Sequence, residues 1–290
     1  MQPPPASRGE AWWGVARQQR RGAGERPPAL IALLALCGTA LFVLPLVGLV
    51  IKAPWPEALA DLRAPESLDA LRLSLICSLS ATVIAIVLGV PLAWVQARMR
   101  FRGQNVLRAL TTLPMVLPPV VGGVALLLAF GRRGLIGSYL FDAYGIRLPF
   151  TTAGVILAET FVSMPFLVIT VEAGLRSMNR RLEEAARSLG ARPWTVFLRV
   201  TLPLIAPSIS AGAILCWSRA LGEFGATITF VSNIPGQTQT LPTLIYTFTQ
   251  VPGGDAGALR LTLISLAISL TAILASEWLA REVGRRVRAD

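Results

Sequence analysis

The sequence contains no histidine and only three cysteines, Cys37, Cys77 and Cys216, in 290 residues. All three lie far apart inside apolar runs, where cysteine ordinarily serves as a small buried hydrophobe. Without histidine and without clustered cysteines, neither a zinc-type ligand set nor a disulfide framework is signalled. The missing histidine also removes the commonest general base, and no serine or cysteine has an evident activating partner, so an enzyme reading finds little support. Nor does the chain carry a G-x-x-x-x-G-K-[ST] loop, which excludes ATP binding by that phosphate cradle.

Charge is scarce as well. Only 15% of residues are charged against 53% hydrophobic, and mean hydropathy is +0.60. Such a chain is too apolar for a soluble domain of this length, and a membrane is its natural solvent. The charge that is present leans one way, to a formal +11 with pI near 11.2. Nucleic acid is not the expected partner, because it would need basic and aromatic residues gathered on a folded soluble face, and no soluble stretch here is long enough to form one.

A membrane-spanning helix takes about 20 mostly apolar residues. Six runs qualify, near 30–51, 70–97, 107–130, 150–175, 203–231 and 259–280. The expected class is an all-α integral membrane protein with six transmembrane helices. The first run follows arginines as a signal core would, yet it is too long and has no clean small-residue cleavage site, so it is retained as a span. Residues 1–29, rich in Pro, Gly and Arg with no apolar period, are expected to form a disordered basic tail. The membrane domain is then expected to cover 30–282, and 283–290 to form a short second tail.

Lysine and arginine positions set the direction of threading. Nineteen fall in the first tail, around 98–108, around 176–199 and at the end, against six on the opposite side, namely Lys52, Arg63, Arg132, Arg133, Arg147 and Arg260. Both termini are therefore expected in the cytoplasm. The basic excess is mainly a topology signal, with attraction to anionic lipid secondary.

By this topology residues 176–202 form a cytoplasmic loop of unusual quality. In "EEAARSLGARPWTVFLRVTLPL", residues 183–204, the stretch Glu183 to Leu189 favours helix, Gly190 allows a positive-φ turn and Pro193 can start a second short helix. Trp194, Val196, Phe197, Leu198 and Val200 make that second segment partly amphipathic. Two readings stand on pattern alone: a helix–turn–helix that docks in a groove of another protein, or a solvated basic loop that only sets topology.

The same stretch resembles the signature loop of permease subunits of bacterial ABC importers: EAA, three residues, Gly, nine residues, an aliphatic residue, any residue, then Leu-Pro. Here those places are Glu184-Ala185-Ala186, Gly190, Val200 and Leu202-Pro203, with valine where the family most often has isoleucine. The resemblance implies the type I importer permease fold and a coupling helix, carried by Glu183, Glu184, Ala185, Ala186, Gly190, Leu202 and Pro203. That helix inserts into a cleft of a separate ATPase subunit. It also implies two ATPase subunits, a second copy of the chain, a periplasmic or extracellular binding protein, and a place in the bacterial cytoplasmic (inner) membrane. No cofactor is expected on this chain; ATP is used by the partner.

A second stretch, "LGEFGATITFVSNIPGQTQTLPTLIYTFTQVPGGDAGALRL" at 221–261, is similar to molybdate importer permeases. Its start, Gly222-Glu223-Phe224-Gly225-Ala226, is shared with sulfate and thiosulfate permeases, whereas "TITFVSNIPGQTQTLPT" is closer to the molybdate branch. Weaker similarity runs from about 69 to 282 and includes "FGRRGLIG" and "LPMVLPPVVGG". A path for a tetrahedral dianion should offer hydrogen-bond donors without a deep electrostatic trap. Thr227, Thr229, Ser232 and Asn233 are suitable donors, and Gly222 and Gly225 permit close backbone approach; ordinary packing of small residues is the other reading.

Ionisable groups inside spans are expected to pair or face water. Arg219 and Glu223 are four apart, share a helix face and are expected to neutralise each other, and Glu159 and Glu172 are assigned to packing or span ends. Arg132, Arg133 and Arg147, outside, could attract an anion or an acidic delivery protein; tolerated solvated charges are the alternative. The rival assignments are a sulfate, thiosulfate or tungstate permease and, from another class, an ion-driven secondary transporter, which would need membrane carboxylates and no docking loop.

Overall fold

The computed structural model describes residues 28–52 and 64–289, with the side chains of 272, 273 and 275–289 outside the description. The expected tail at 1–29 therefore lies almost wholly outside the described residues. The chain divides into two units, 1–52 and 53–290. The first contributes α1 (Ala29–Ile51), an apolar helix long enough to cross a bilayer.

In the second unit α2 (Pro65–Arg98) is followed by α3 (Gln104–Val116), α4 (Pro119–Phe130), α5 (Gly137–Tyr144) and α6 (Thr152–Ser177). Then come α7 (Arg181–Ser188), α8 (Pro193–Val196), a π-helical turn (Phe197–Thr201), α9 (Leu202–Leu221), α10 (Gly225–Val231), α11 (Leu241–Gln250) and α12 (Asp255–Ala289). Among the described residues four segments are long and apolar enough to span: α1, α2, α6 and the continuous rod Pro193–Leu221.

Two expected spans are interrupted. The run 107–130 is split between α3 and α4, because Pro118 pushes Leu117 out of the helical region to φ −65°, ψ 136°. The run 203–231 breaks at Gly222–Phe224 between α9 and α10, with Phe224 at φ −128°, ψ −54°. The last run lies within α12, whose backbone continues past residue 282 to Ala289.

Helix α6 is the axis of packing, with α2 and α9 against it. Small residues make this possible. Ala81, Ala85, Gly89 and Ala93 recur every four residues along α2 and are all buried, so the backbones approach closely. A Cβ on Gly89 would come 2.9 Å from the Leu167 side chain. One apolar cluster joins Ala85, Val90 and Ala93 of α2 to Leu167, Val168, Val171 and Leu175 of α6 and to Ile205 and Cys216 of α9. A second, at the other end, joins Cys77, Val155 and Ala158 to Leu126 of α4 and Phe230 and Val231 of α10. Polar links cross the helices too: the Trp217 indole N–H donates to Ser78 Oγ at 2.9 Å, and the Leu241 amide donates to Ser74 Oγ at 2.7 Å.

The two interrupted runs meet at their interruptions. An added Cβ on Gly225, at the start of α10, would lie 2.5 Å from Pro119 Cβ, and one on Gly123 would lie 2.6 Å from Thr229 Cβ. Gly225→Ala should therefore push α10 off α4 at a cost of about 1–3 kcal/mol, as overpacking of a close contact does. Thermal unfolding of the detergent-solubilised protein should show a lowered midpoint for Gly225→Ala and little change for Gly222→Ala, which has only its own helix's Ser218 carbonyl nearby at 3.7 Å.

Candidate functional site

The loop after α6 has the helix–turn–helix form that its sequence predicts. Helix α7 ends in a left-handed Gly190 at φ +83°. The Gly190 amide donates to Arg187 O at 2.9 Å and the Ala191 amide to Ala186 O at 3.1 Å, the paired closure that stops a helix sharply. Pro193 then opens α8, which runs through the π-helical turn into α9. Pro203 has no N–H to return to the preceding turn, and the Leu202 amide reaches back to Phe197 O, so the helix widens where the Leu-Pro pair enters the membrane segment.

The outer face of this loop carries Glu184 and Ala185, both exposed, with Ala186 half-buried beside them. Leu189 is 89% exposed and Trp194 69% exposed, which is costly in water and suits a surface that another protein covers. Trp194 stacks on Phe197, and Phe197 meets Trp94 edge-on, at ring-centroid distances of 5.7 and 6.2 Å. Glu183 differs from its neighbour. Its side chain turns inward and is buried, accepting from Thr201 Oγ1 at 2.7 Å and facing Arg98 Nε at 3.2 Å, so its part in the loop is intramolecular and not on the docking face. Leu202 is half-buried against the α2–α6–α9 cluster and Pro203 is exposed.

Sequence reasoning counted the arginines around this end only as topology signals. Their pairing was missed. Glu172 receives Arg108 at 2.6 Å and Arg176 at 2.8 Å, tying α3 to α6. The C-terminal carbonyls of α2 are answered by side chains, Gln96 O by Gln104 at 2.7 Å and Ala97 O by Arg180 at 3.1 Å. The i, i+4 spacing of Glu172 and Arg176 was the one available signal.

The second group of expected residues surrounds the break between α9 and α10. Arg219 Nη1 lies 2.5 Å from Glu223 Oε2, and Glu223 Oε1 accepts the Ala226 amide at 2.8 Å. One carboxylate thus neutralises a cation on the helix that ends and caps the helix that begins. Glu223 is 1% exposed and Thr227 is fully buried, while Thr229 Oγ1 donates to its own helix at Gly225 O, 2.8 Å away. Ser232 and Gly222 are exposed. Asn233 Nδ2 donates to Thr247 Oγ1 at 2.6 Å. The expected pathway residues Gly222, Glu223, Gly225, Thr227, Thr229, Ser232 and Asn233 therefore do not line one surface of the protomer: Glu223, Gly225 and Thr227 are sealed inside, and the exposed Gly222 and Ser232 sit at the two ends. Glu159 is also buried, with Oε2 unpartnered. Arg132 lies over the Phe141 ring at 4.3 Å and Arg147 at 5.6 Å.

Residues 85–285 match the family model for the binding-protein-dependent transport system inner membrane component. The chain belongs to this family. The molybdenum transport system permease protein of Mycobacterium tuberculosis is 47% identical over 247 residues, covering 85% of this chain and 92% of that one. Its counterpart in Escherichia coli is 48% identical over 213 residues, covering 73% and 93%. A probable sulfate transport system permease protein of Nephroselmis olivacea is 40% identical over 217 residues, covering 74% and 75%. Among solved structures, the crystal structure of a bacterial ABC transporter involved in the import of the acidic polysaccharide alginate has a chain matching at TM-score 0.70 with 19% identity, covering 94% of this chain and 99% of that one. The fold is thus that of ABC importer permeases, and this permease is a membrane transport component.

Removing Glu223 should be severe, because it leaves Arg219 without its anion and α10 without its cap. Breaking a buried pair from one side costs about 3–5 kcal/mol, whereas replacing both partners by apolar groups is far milder. Thermal unfolding should accordingly rank Glu223→Ala well below the double variant Arg219→Met/Glu223→Met.

Proposed function

We propose that this permease forms half of the membrane pathway of an ATP-driven importer for molybdate and is driven by a separate ATPase subunit docked on the α7–α8 loop. The loop carries the reading. Its exposed Glu184-Ala185 face, the closed turn at Gly190 and the uncovered Leu189 and Trp194 make a rigid, partly apolar knob with one anionic handle. Such a knob suits a cleft in a second protein. The substrate assignment is supported by the molybdenum permease relatives, which match over nearly their whole length at higher identity than the sulfate relative.

Two copies of the chain enclose the pathway, both termini face the cytoplasm, and a binding protein delivers the dianion from outside. Two ATPase subunits grip the α7–α8 knobs and switch the pathway between outward and inward access. The chain itself makes and breaks no covalent bond. Tetrahedral dianions of nearly equal size, molybdate and tungstate, are told apart by the delivery protein more than by the pathway. An ion-driven transporter would have no use for the docking knob.

The complex of this permease with its ATPase subunit and binding protein, reconstituted in proteoliposomes, tests the reading. Molybdate and tungstate should each stimulate ATP hydrolysis and sulfate should not; equal stimulation by sulfate would replace molybdate with a general oxyanion substrate. Glu184→Lys should abolish the stimulation and release the ATPase subunit from the complex while the permease remains folded.

A further inference from the structure

The knob that meets the ATPase is joined to α8 only through residues 189–192, with Gly190 in a left-handed turn. A push on α7 could be absorbed by rotation at that turn, or by bending at the π-helical turn that follows. We propose that Glu183, Arg98 and Thr201 form the joint that carries the movement of the docked loop into the membrane helices, bypassing both soft points. This rests on the coupling role proposed for the loop.

The three residues come from three elements that must move together. Arg98 is the last residue of α2, Glu183 lies in the first turn of α7, and Thr201 closes the π-helical turn at the foot of α9. Each carboxylate oxygen has its own partner: Oε1 takes the Thr201 hydroxyl at 2.7 Å and Oε2 faces Arg98 Nε at 3.2 Å. Glu183 is 5% exposed and Thr201 1%, so water offers neither a substitute partner. An ion pair in such a place resists separation, because parting it strands a buried charge.

The position of Thr201 matters most. It stands on the membrane side of the π-helical turn, so the Glu183 bond ties α7 directly to the foot of α9. Arg98 does the same for α2, and the Arg180 bond to Ala97 O at 3.1 Å adds a second tie to that helix end. Arg98 holds Glu183 by charge at 3.2 Å, its guanidinium nitrogens being buried without a well-aligned hydrogen bond, and the directional bond of the joint is the one from Thr201.

Glu183 and Arg98 are positioning residues on this view, and the hydrogen-exchange readout needs no oxyanion. The full complex with the ATPase subunit is trapped with ATP and vanadate, and amide hydrogen exchange is compared with the nucleotide-free complex. In the wild type, exchange should change at 92–98 of α2 and at 202–210 of α9. In Glu183→Gln the change should stay within 181–196, with the ATPase subunit still co-purifying and with transport per ATP reduced about tenfold, within the range of ordinary coupling free energies. Reversing the pair, Arg98→Glu with Glu183→Arg, should restore part of that ratio.

Equal exchange changes in wild type and Glu183→Gln would overturn the joint, as would no change at 92–98 and 202–210 in the wild type. Loss of the ATPase subunit from Glu183→Gln, to the degree seen for Glu184→Lys, would overturn it too, by making Glu183 a docking residue. Should Glu183→Gln fail to fold, Thr201→Val keeps the ion pair and carries the same comparison at 202–210. Failure of the substrate reading is seen elsewhere, as absence of molybdate-stimulated hydrolysis in the wild-type complex.

Discussion

Hydrocarbon offers no hydrogen-bond partner, so every interruption of a helix and every ionised side chain at membrane depth must be answered from within the protein. The fold is organised around two such interruptions. At the first, the chain turns on Pro118 and Pro119, neither of which has an N–H to leave unsatisfied. At the second, Glu223 supplies an acceptor to the Ala226 amide and at the same time an anion to Arg219. The breaks lie against each other, Gly225 on Pro119 and Gly123 on Thr229, although Pro118, Pro119 and Gly222 themselves stay exposed on the protomer.

The same rule governs the end of the fold that carries the docking loop. A positive charge there would set topology if this end faces the cytoplasm, as proposed, but it costs desolvation when it packs between helices. The arginines resolve the conflict by pairing. Arg108 and Arg176 converge on Glu172, Arg180 answers a helix-end carbonyl, and Arg98 faces Glu183. The part-exposed pairs on Glu172 contribute little individually, whereas Arg98 and Glu183 are both buried. Here they connect α2, α3, α6 and α7 in one network, and a network transmits displacement even when its members add little stability.

Much of this was legible in the sequence. The long helices α2 and α6, the Gly190 turn and the facing of Arg219 and Glu223 follow from run length, glycine and a four-residue spacing. The two breaks were not read, although Pro118-Pro119 and Gly222 stand in plain view, because hydropathy averaged over a span is blind to a local loss of backbone geometry. Glu183 and Glu184 present the harder case. They are the same residue one position apart, and about 100° of helical rotation sends one into the protein and the other out of it. The motif begins at Glu184 and does not say which way its neighbour Glu183 faces; that depends on Arg98 and Thr201, distant in sequence.

The small polar residues near the second break bear on how a dianion is handled. Thr229 is bonded to its own helix, Asn233 is bonded to Thr247, and Thr227 is sealed, so the protomer presents few free donors at that level. Were the proposed pathway to run past them, it would hold an anion weakly. Weak holding is what a pathway requires, since a site that binds a doubly charged ion tightly also releases it slowly. On the mechanism proposed above, selectivity is then better placed in a protein that can close around the ion, and the permease is left with a mechanical task that the paired arginines and the closed turn at Gly190 would serve.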